Sequence, residues 1–349
     1  MNENGISPKQ QSMSKRKLDL NSEYNHSLSR KISLGAGFGM GLVGALALAV
    51  RFGWKRQLRR PLSDAISPPV FATRMVNTAS GEIVYHTSGT GEPLLFLHGV
   101  FPGASSFEWS KVYPHFASHY QVLVPDLIGF GESQRPRIPL SAESQTRSLA
   151  EFLRSTTEGK AVTLIASGLS ANLALLLAAC HSNVVSRLIL CMPFLALKGV
   201  STIRPFYHLS WFPRLARIAY RRQLSTEHNI KQWLLRSGFN PHDNSLDEVV
   251  TVLSSTAQQY GAEHAFLAQC SRSFWRKLSS QLTTLHLPIA LISSKNLERL
   301  TNESITALRP YATRFSINEM ETESFLPPLT HPELMIGALK QELDSFQST

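Results

Sequence analysis

Two serines flank a glycine in Ala166-Ser167-Gly168-Leu169-Ser170, between the apolar run Ala161–Ile165 and the helix-forming stretch Leu169–Ala179. A hydroxyl held on a tight strand-to-helix turn stands clear of its own backbone at the positive end of a helix. In that setting serine becomes a nucleophile once a base takes its proton. Groups able to take it are few. His98 follows the apolar run Pro93–Leu97, His331 lies in a late His-Pro-Glu segment, Glu298 follows the run Pro288–Ile292, and Asp126 sits in the turn after Gln121–Val124. Each also has a plain structural reading: Asp126 as a turn residue, His331 as a solvent-facing one. Ser167 reads as buried behind its turn and Ser170 as a small packing residue. Cys180, Cys191 and Cys270 are far apart, without CxxC or His-rich spacing, so no metal site is expected and all three read as buried thiols in a reducing compartment.

The elements that must position these groups alternate short apolar runs with longer helical stretches, the pattern of a mostly parallel sheet flanked by helices. Strands are expected near Val70–Val76, Glu82–His86, Pro93–Leu97, Gln121–Val124, Ala161–Ile165, Arg187–Cys191, Pro288–Ile292 and Thr313–Ile317. Helices are expected over Phe107–Ser118, Ala142–Ser155, Leu169–Ala179 and Glu333–Phe346. Between residues 195 and 285 the strand pattern gives way to helical segments rich in arginine and aromatics, around Tyr207, Trp211, Phe212, Tyr220 and Arg221.

Three blocks stand in order along this pattern: HGVFPGASS at His98–Ser106, PDLIGFGES at Pro125–Ser133, and TLIASGLSANLALLLAA at Thr163–Ala179. Together with His331-Pro332-Glu333 they resemble the cap-bearing α/β-hydrolase family, of the AB hydrolase-1 type, over roughly residues 70–345. GASSFEWS and ASGLSA look most like its cyanobacterial and plant members. The resemblance implies a core of residues 70–194 and 286–349, with 195–285 as a helical cap over the mouth of the site.

It also implies a serine-acid-histidine triad, and each of the three positions departs from that pattern. The nucleophile's place falls on Gly168, which has no side chain. The acid's place, after the run Leu291-Ile292-Ser293-Ser294, falls on Leu297, and the other place used in the family, within Met192–Leu195, holds no acid. The base's place falls on Phe325, with His331 matching a second, non-catalytic histidine. Because a triad acts as a unit, loss of all three groups removes its chemistry. What the resemblance leaves intact is the oxyanion hole: the N–H groups of Val100 and Leu169, with His98 and Gly99 shaping the loop. Ser167, Ser170, Glu298 and His98 remain as displaced candidates.

The amino-terminal part has a different character. Residues 1–60 carry eleven Lys/Arg against three acids, +8 of the chain's formal +10, and this charge brackets the uncharged run from Ser33 to Val50. As a helix that run reaches roughly 27 Å, enough to cross a bilayer core of about 30 Å. It follows some thirty polar residues and precedes Arg51 and Trp54 rather than a small-residue cleavage site, so it reads as a retained transmembrane helix. Residues 1–32 read as a disordered polar tail and 51–69 as a basic connector. The five basic residues just after the run favour a cytoplasmic carboxy-terminal domain. Gly37, Gly41 and Gly44 share a face that could pair two such helices. Charge gathered around an apolar run points to lipid and away from nucleic acid.

The expected protein is therefore a membrane-anchored α/β-hydrolase-fold chain without cofactor. It is expected to bind an apolar or acyl- or carbonyl-bearing small molecule, or a protein partner, without turning it over. The alternatives are an ester hydrolase with a displaced serine, a lyase or oxygenase of the same fold, and a purely structural module.

Overall fold

The computed structural model describes residues 71–347 apart from 137–139, 198–212, 272 and 296–297. The apolar run 33–50, its glycines and its basic flanks lie outside the described residues, as do Leu297, Tyr207, Trp211 and Phe212. Among the described residues no helix is long and apolar enough to cross a membrane.

Eight strands form one sheet: β1 (Ala72–Thr78), β2 (Gly81–Ser88), β3 (Glu92–Leu97), β4 (Tyr120–Pro125), β5 (Val162–Ser167), β6 (Val185–Cys191), β7 (Leu287–Ser294) and β8 (Ala312–Met320). Their order across the sheet is β1-β2-β4-β3-β5-β6-β7-β8. The β1–β2 and β2–β4 pairs are antiparallel and every pair from β4 to β8 is parallel. The central strands read as unbroken apolar runs because both faces are covered. Leu95, Leu97, Leu164, Ala166, Leu188 and Leu190 belong to one core, and Leu94, Phe96, Ile165 and Ile189 to the core on the opposite face. The helix Ala171–Cys180, ANLALLLAAC, has no polar face and is buried nearly to its end, as a helix packed between a sheet and further helices must be.

Two sequence expectations are corrected. The single helix expected over Phe107–Ser118 is two short 3₁₀ turns, Ser106–Trp109 and Tyr113–Phe116. Pro114 cannot donate to a continuing helix, and the Ser106 N–H is drawn to the Asp126 carboxylate at 2.6 Å. Cys180 is exposed rather than buried, because it ends its helix just before the chain leaves the core.

Between β6 and β7 the described chain is helical: Pro213–Ala219, Glu227–Arg236, Leu246–Ala257, Ala262–Gln269 and Leu278–Gln281, with a π turn at Tyr220–Leu224. This layer meets the loop after β3 through a glycine. Gly103 has φ +83°, and a Cβ there would lie 2.0 Å from the Leu253 carbonyl oxygen. Gly103→Ala is therefore expected to lower stability by roughly 2–3 kcal/mol, combining positive-φ strain with displacement of a helix backbone. Urea unfolding of the variant checks this; a change under about 0.5 kcal/mol would mean the helix yields freely.

Candidate functional site

β5 ends at Ser167 in extended conformation and the chain turns sharply through Gly168 at φ +56° into a 3₁₀ turn and the helix Ala171–Cys180. The left-handed backbone at the apex is the conformation a strand-to-helix elbow requires. The turn is clamped by hydrogen bonds. The Phe194 N–H donates to the Gly168 carbonyl at 3.0 Å. Asn172 Nδ2 donates to the Leu169 and Phe194 carbonyls, each at 2.8 Å, and the Ala196 N–H donates to Asn172 Oδ1 at 2.8 Å. Asn172 thus ties the elbow to the loop after β6, a role that its place in an apolar helix hinted at and that sequence reasoning passed over.

A cavity of about 420 Å³ opens above the elbow. Its floor is Gly99, Val100, Ser167, Gly168 and Leu169. Its walls and roof are Phe101, Phe194, Ile230, Trp233 and Phe266, and Arg236 and Phe325 also line it. Phe101 and Trp233 pack ring to ring with centroids 5.1 Å apart. The N–H groups of Val100 and Leu169 have no acceptor among the described residues, and both residues line the cavity. An apolar chamber with two backbone donors on its floor suits an apolar molecule carrying one carbonyl or carboxyl group.

The sequence candidates fall into two groups. Gly168 and Phe325 both reach the cavity, and neither carries a group that attacks or takes a proton. Phe325 is 38% exposed, and its backbone N–H donates to the Ser237 carbonyl at 3.1 Å. His98 is fully occupied: Nδ1 bonds the Gly99 carbonyl at 2.7 Å, and the Leu127 N–H donates to Nε2 at 3.0 Å. Burial holds its pKa below the usual value. Ser170 is completely buried and donates to the His98 carbonyl at 2.6 Å. Asp126 accepts the N–H groups of Ser106 and Glu132. His331, expected to face solvent, is half-buried, with Nδ1 2.9 Å from Thr330 Oγ1 and 3.2 Å from Thr322 Oγ1. The two threonine hydroxyls, both at the same ring nitrogen, hold it inward. Glu298 begins the helix Glu298–Leu308.

Ser167 is the exception. Only 4% exposed, it nonetheless lines the cavity floor, and behind it lies a group the sequence reading did not single out. Glu108 is entirely buried between Phe107 and Trp109 in the first 3₁₀ turn, and the Gly99 N–H donates to its Oε2 at 2.5 Å. Desolvation raises its pKa to about 7, against the lowering effects of the Ser167 hydroxyl and the Gly99 N–H. Its Oε1 has no partner of regular hydrogen-bond geometry among the described residues. An acid between two aromatics, nine residues after Gly99, was the signal available. Among the described residues no cluster of three His, Cys, Asp or Glu stands close enough to hold a metal.

Comparison with known proteins agrees with this architecture. The sequence profile described as "Alpha/beta hydrolase family" matches residues 94–318. A 2-hydroxy-6-oxo-6-(2'-aminophenyl)hexa-2,4-dienoic acid hydrolase of Metapseudomonas resinovorans is 30% identical over 125 residues, 36% of this chain and 43% of that protein. A 2-hydroxy-6-oxo-2,4-heptadienoate hydrolase of Pseudomonas putida is 34% identical over 119 residues, again 43% of its length. The chain thus spans less than half the length of these curated relatives. Among solved structures, a membrane phospholipase A superposes with TM-score 0.61 at 22% identity, covering 94% of this chain and all of that one. At that identity the likeness is one of fold.

Proposed function

This chain belongs to the alpha/beta hydrolase family, and from that premise we propose that it is a member without serine-triad chemistry, whose cavity binds an apolar acyl- or carbonyl-bearing molecule. The observation that carries the reading is Gly168 at the apex of the elbow. It keeps the left-handed backbone of a nucleophile's turn and faces the cavity with a hydrogen atom. Phe325, in the place where the family's base belongs, lines the same cavity with a hydrocarbon ring. A covalent acyl intermediate at residue 168 has no atom to form on. The uncharged run 33–50 holds the protein at a bilayer in this reading, with the cavity on the cytoplasmic side and its ligand drawn from the apolar compounds that membranes concentrate.

The test uses the full chain in detergent micelles. Wild type is expected to give no fluorophosphonate adduct and no short-chain ester turnover above blank. It is also expected to melt at higher temperature with long-chain ketones or esters: a ligand at a hundred times its Kd adds about 2.7 kcal/mol of stability. An adduct abolished by Ser167→Ala or Ser170→Ala would replace this reading with a hydrolase bearing a displaced nucleophile. Absence of any ligand-dependent shift would replace it with a purely structural module.

A further inference from the structure

Among the described residues, the one polar side chain on the cavity floor is backed by a buried carboxyl. Ser167 extends from the end of β5 beside Gly168. Glu108 lies behind it, held in place by the Gly99 N–H, with its second oxygen unsaturated by any regular bond among the described residues. Among the described residues no lysine or arginine acts on this carboxyl. We propose that the Ser167 hydroxyl is the group that meets a bound molecule's polar atom, and that Glu108 decides whether that hydroxyl offers a proton or a lone pair.

The reasoning is the valence of a hydroxyl. Ser167 has one proton to donate and lone pairs to accept with. When Glu108 is protonated, its O–H donates to Ser167 Oγ, and the serine proton is free to point into the cavity at a carbonyl oxygen. When Glu108 is ionised, it takes the serine proton for itself, and only lone pairs face the cavity. That state leaves a ketone or ester only the Val100 and Leu169 N–H groups, and it gains an acceptor for an alcohol. The site thus selects neutral carbonyl compounds on the acid side of neutrality. Other titratable groups stand around this pair. On β6, Cys191 is held well above the ordinary thiol range by burial, with Glu108 and Glu342 adding to it. On the loop after β3, burial holds His98 low, opposed by Asp126. The Asp126 carboxylate is itself turned to the N–H groups of Ser106 and Glu132. Glu108 is a positioning residue here, acting through Ser167.

The inference rests on the cavity being a binding site, and the experiment separates the two. Binding of a twelve-carbon methyl ketone and of the matching primary alcohol is followed by Trp233 fluorescence on the full chain, with uptake into empty micelles subtracted. Wild type is expected to bind the ketone roughly tenfold more weakly at pH 8 than at pH 6, the factor by which the protonated fraction of a group titrating near pH 7 falls; the alcohol shows no such loss. Glu108→Gln, whose amide accepts from Gly99 and donates to Ser167, is expected to hold the low-pH ketone affinity across the range. Ser167→Ala is expected to bind the ketone weakly at both pH values. Ketone binding that ignores pH in wild type, keeps its slope in Glu108→Gln, or survives intact in Ser167→Ala overturns the inference and leaves the binding cavity standing. If neither ligand binds wild type at any pH, both fall.

Discussion

Installing two of the three groups that the family's triad would carry, as Gly168→Ser with Phe325→His, is expected to give fluorophosphonate labelling at residue 168. Space is available for the first change: a Cβ at residue 168 would meet Phe194 Cδ2 at 3.6 Å and Gly99 Cα at 4.0 Å, both ordinary contacts. The backbone at φ +56° already has the hand of a nucleophile's elbow, and placing a side chain on it costs about 1–2 kcal/mol of stability. Gly168→Ser alone supplies a hydroxyl beside the Val100 and Leu169 N–H groups but no base, so labelling is expected to be slow. A histidine at residue 325 lines the same cavity and supplies the base, and general base catalysis is worth about 10²–10⁴-fold. Rates of adduct formation, with mass spectrometry of the peptide containing residue 168, decide the matter. A double variant that labels no faster than the single one would show that residue 325 does not stand where the base must stand.

The second large effect is on stability. A carboxyl whose pKa is near 4.5 in the unfolded chain and about 7 when folded binds its proton more tightly in the folded state. Its favourable contribution is complete below pH 4.5 and is lost as the pH rises toward and through 7. Between pH 5 and pH 8 the loss is on the order of 2–3 kcal/mol. Glu108→Gln has no proton to lose, so its unfolding free energy relative to wild type is expected to rise by that amount over the same interval. Denaturant unfolding of both proteins at pH 5, 6, 7 and 8 reads this directly. Parallel pH profiles would place Glu108 in a more polar setting than its burial implies.

Most of the architecture could be read along the chain because the parallel strands are buried on both faces and appear as uninterrupted apolar runs; each expected strand is found within a few residues of its place. The exception near residue 107 is instructive. Trp109, Val112, Tyr113 and Phe116 are spaced like a helix face, but Pro114 and the pull of Asp126 on the Ser106 N–H break the segment into two turns. Gly168 and Phe325 could be placed from motif position alone. Glu108 could not, since a lone acid in FEWS has the composition of a solvated turn. Only the packing of Trp109, whose indole N–H donates to the Leu97 carbonyl at 3.1 Å, turns it toward the elbow. Asn172 escaped for the related reason that its partners, Phe194 and Ala196, lie in a loop whose path no local pattern specifies.

The Ser237 carbonyl accepts both the Phe325 N–H and the Ser324 hydroxyl, the latter at 2.8 Å, and the next residue, Gly238 at φ +91°, packs so tightly that a Cβ there would sit 2.9 Å from Ser324 Cα. The helical layer and the late loop are latched at this one carbonyl. Opening the chamber by lifting Glu227–Arg236 must break both bonds or carry Phe325 along with it. If the chamber holds a guest as proposed, its exchange is governed by how often this latch releases, and the Phe325 amide proton serves as its clock.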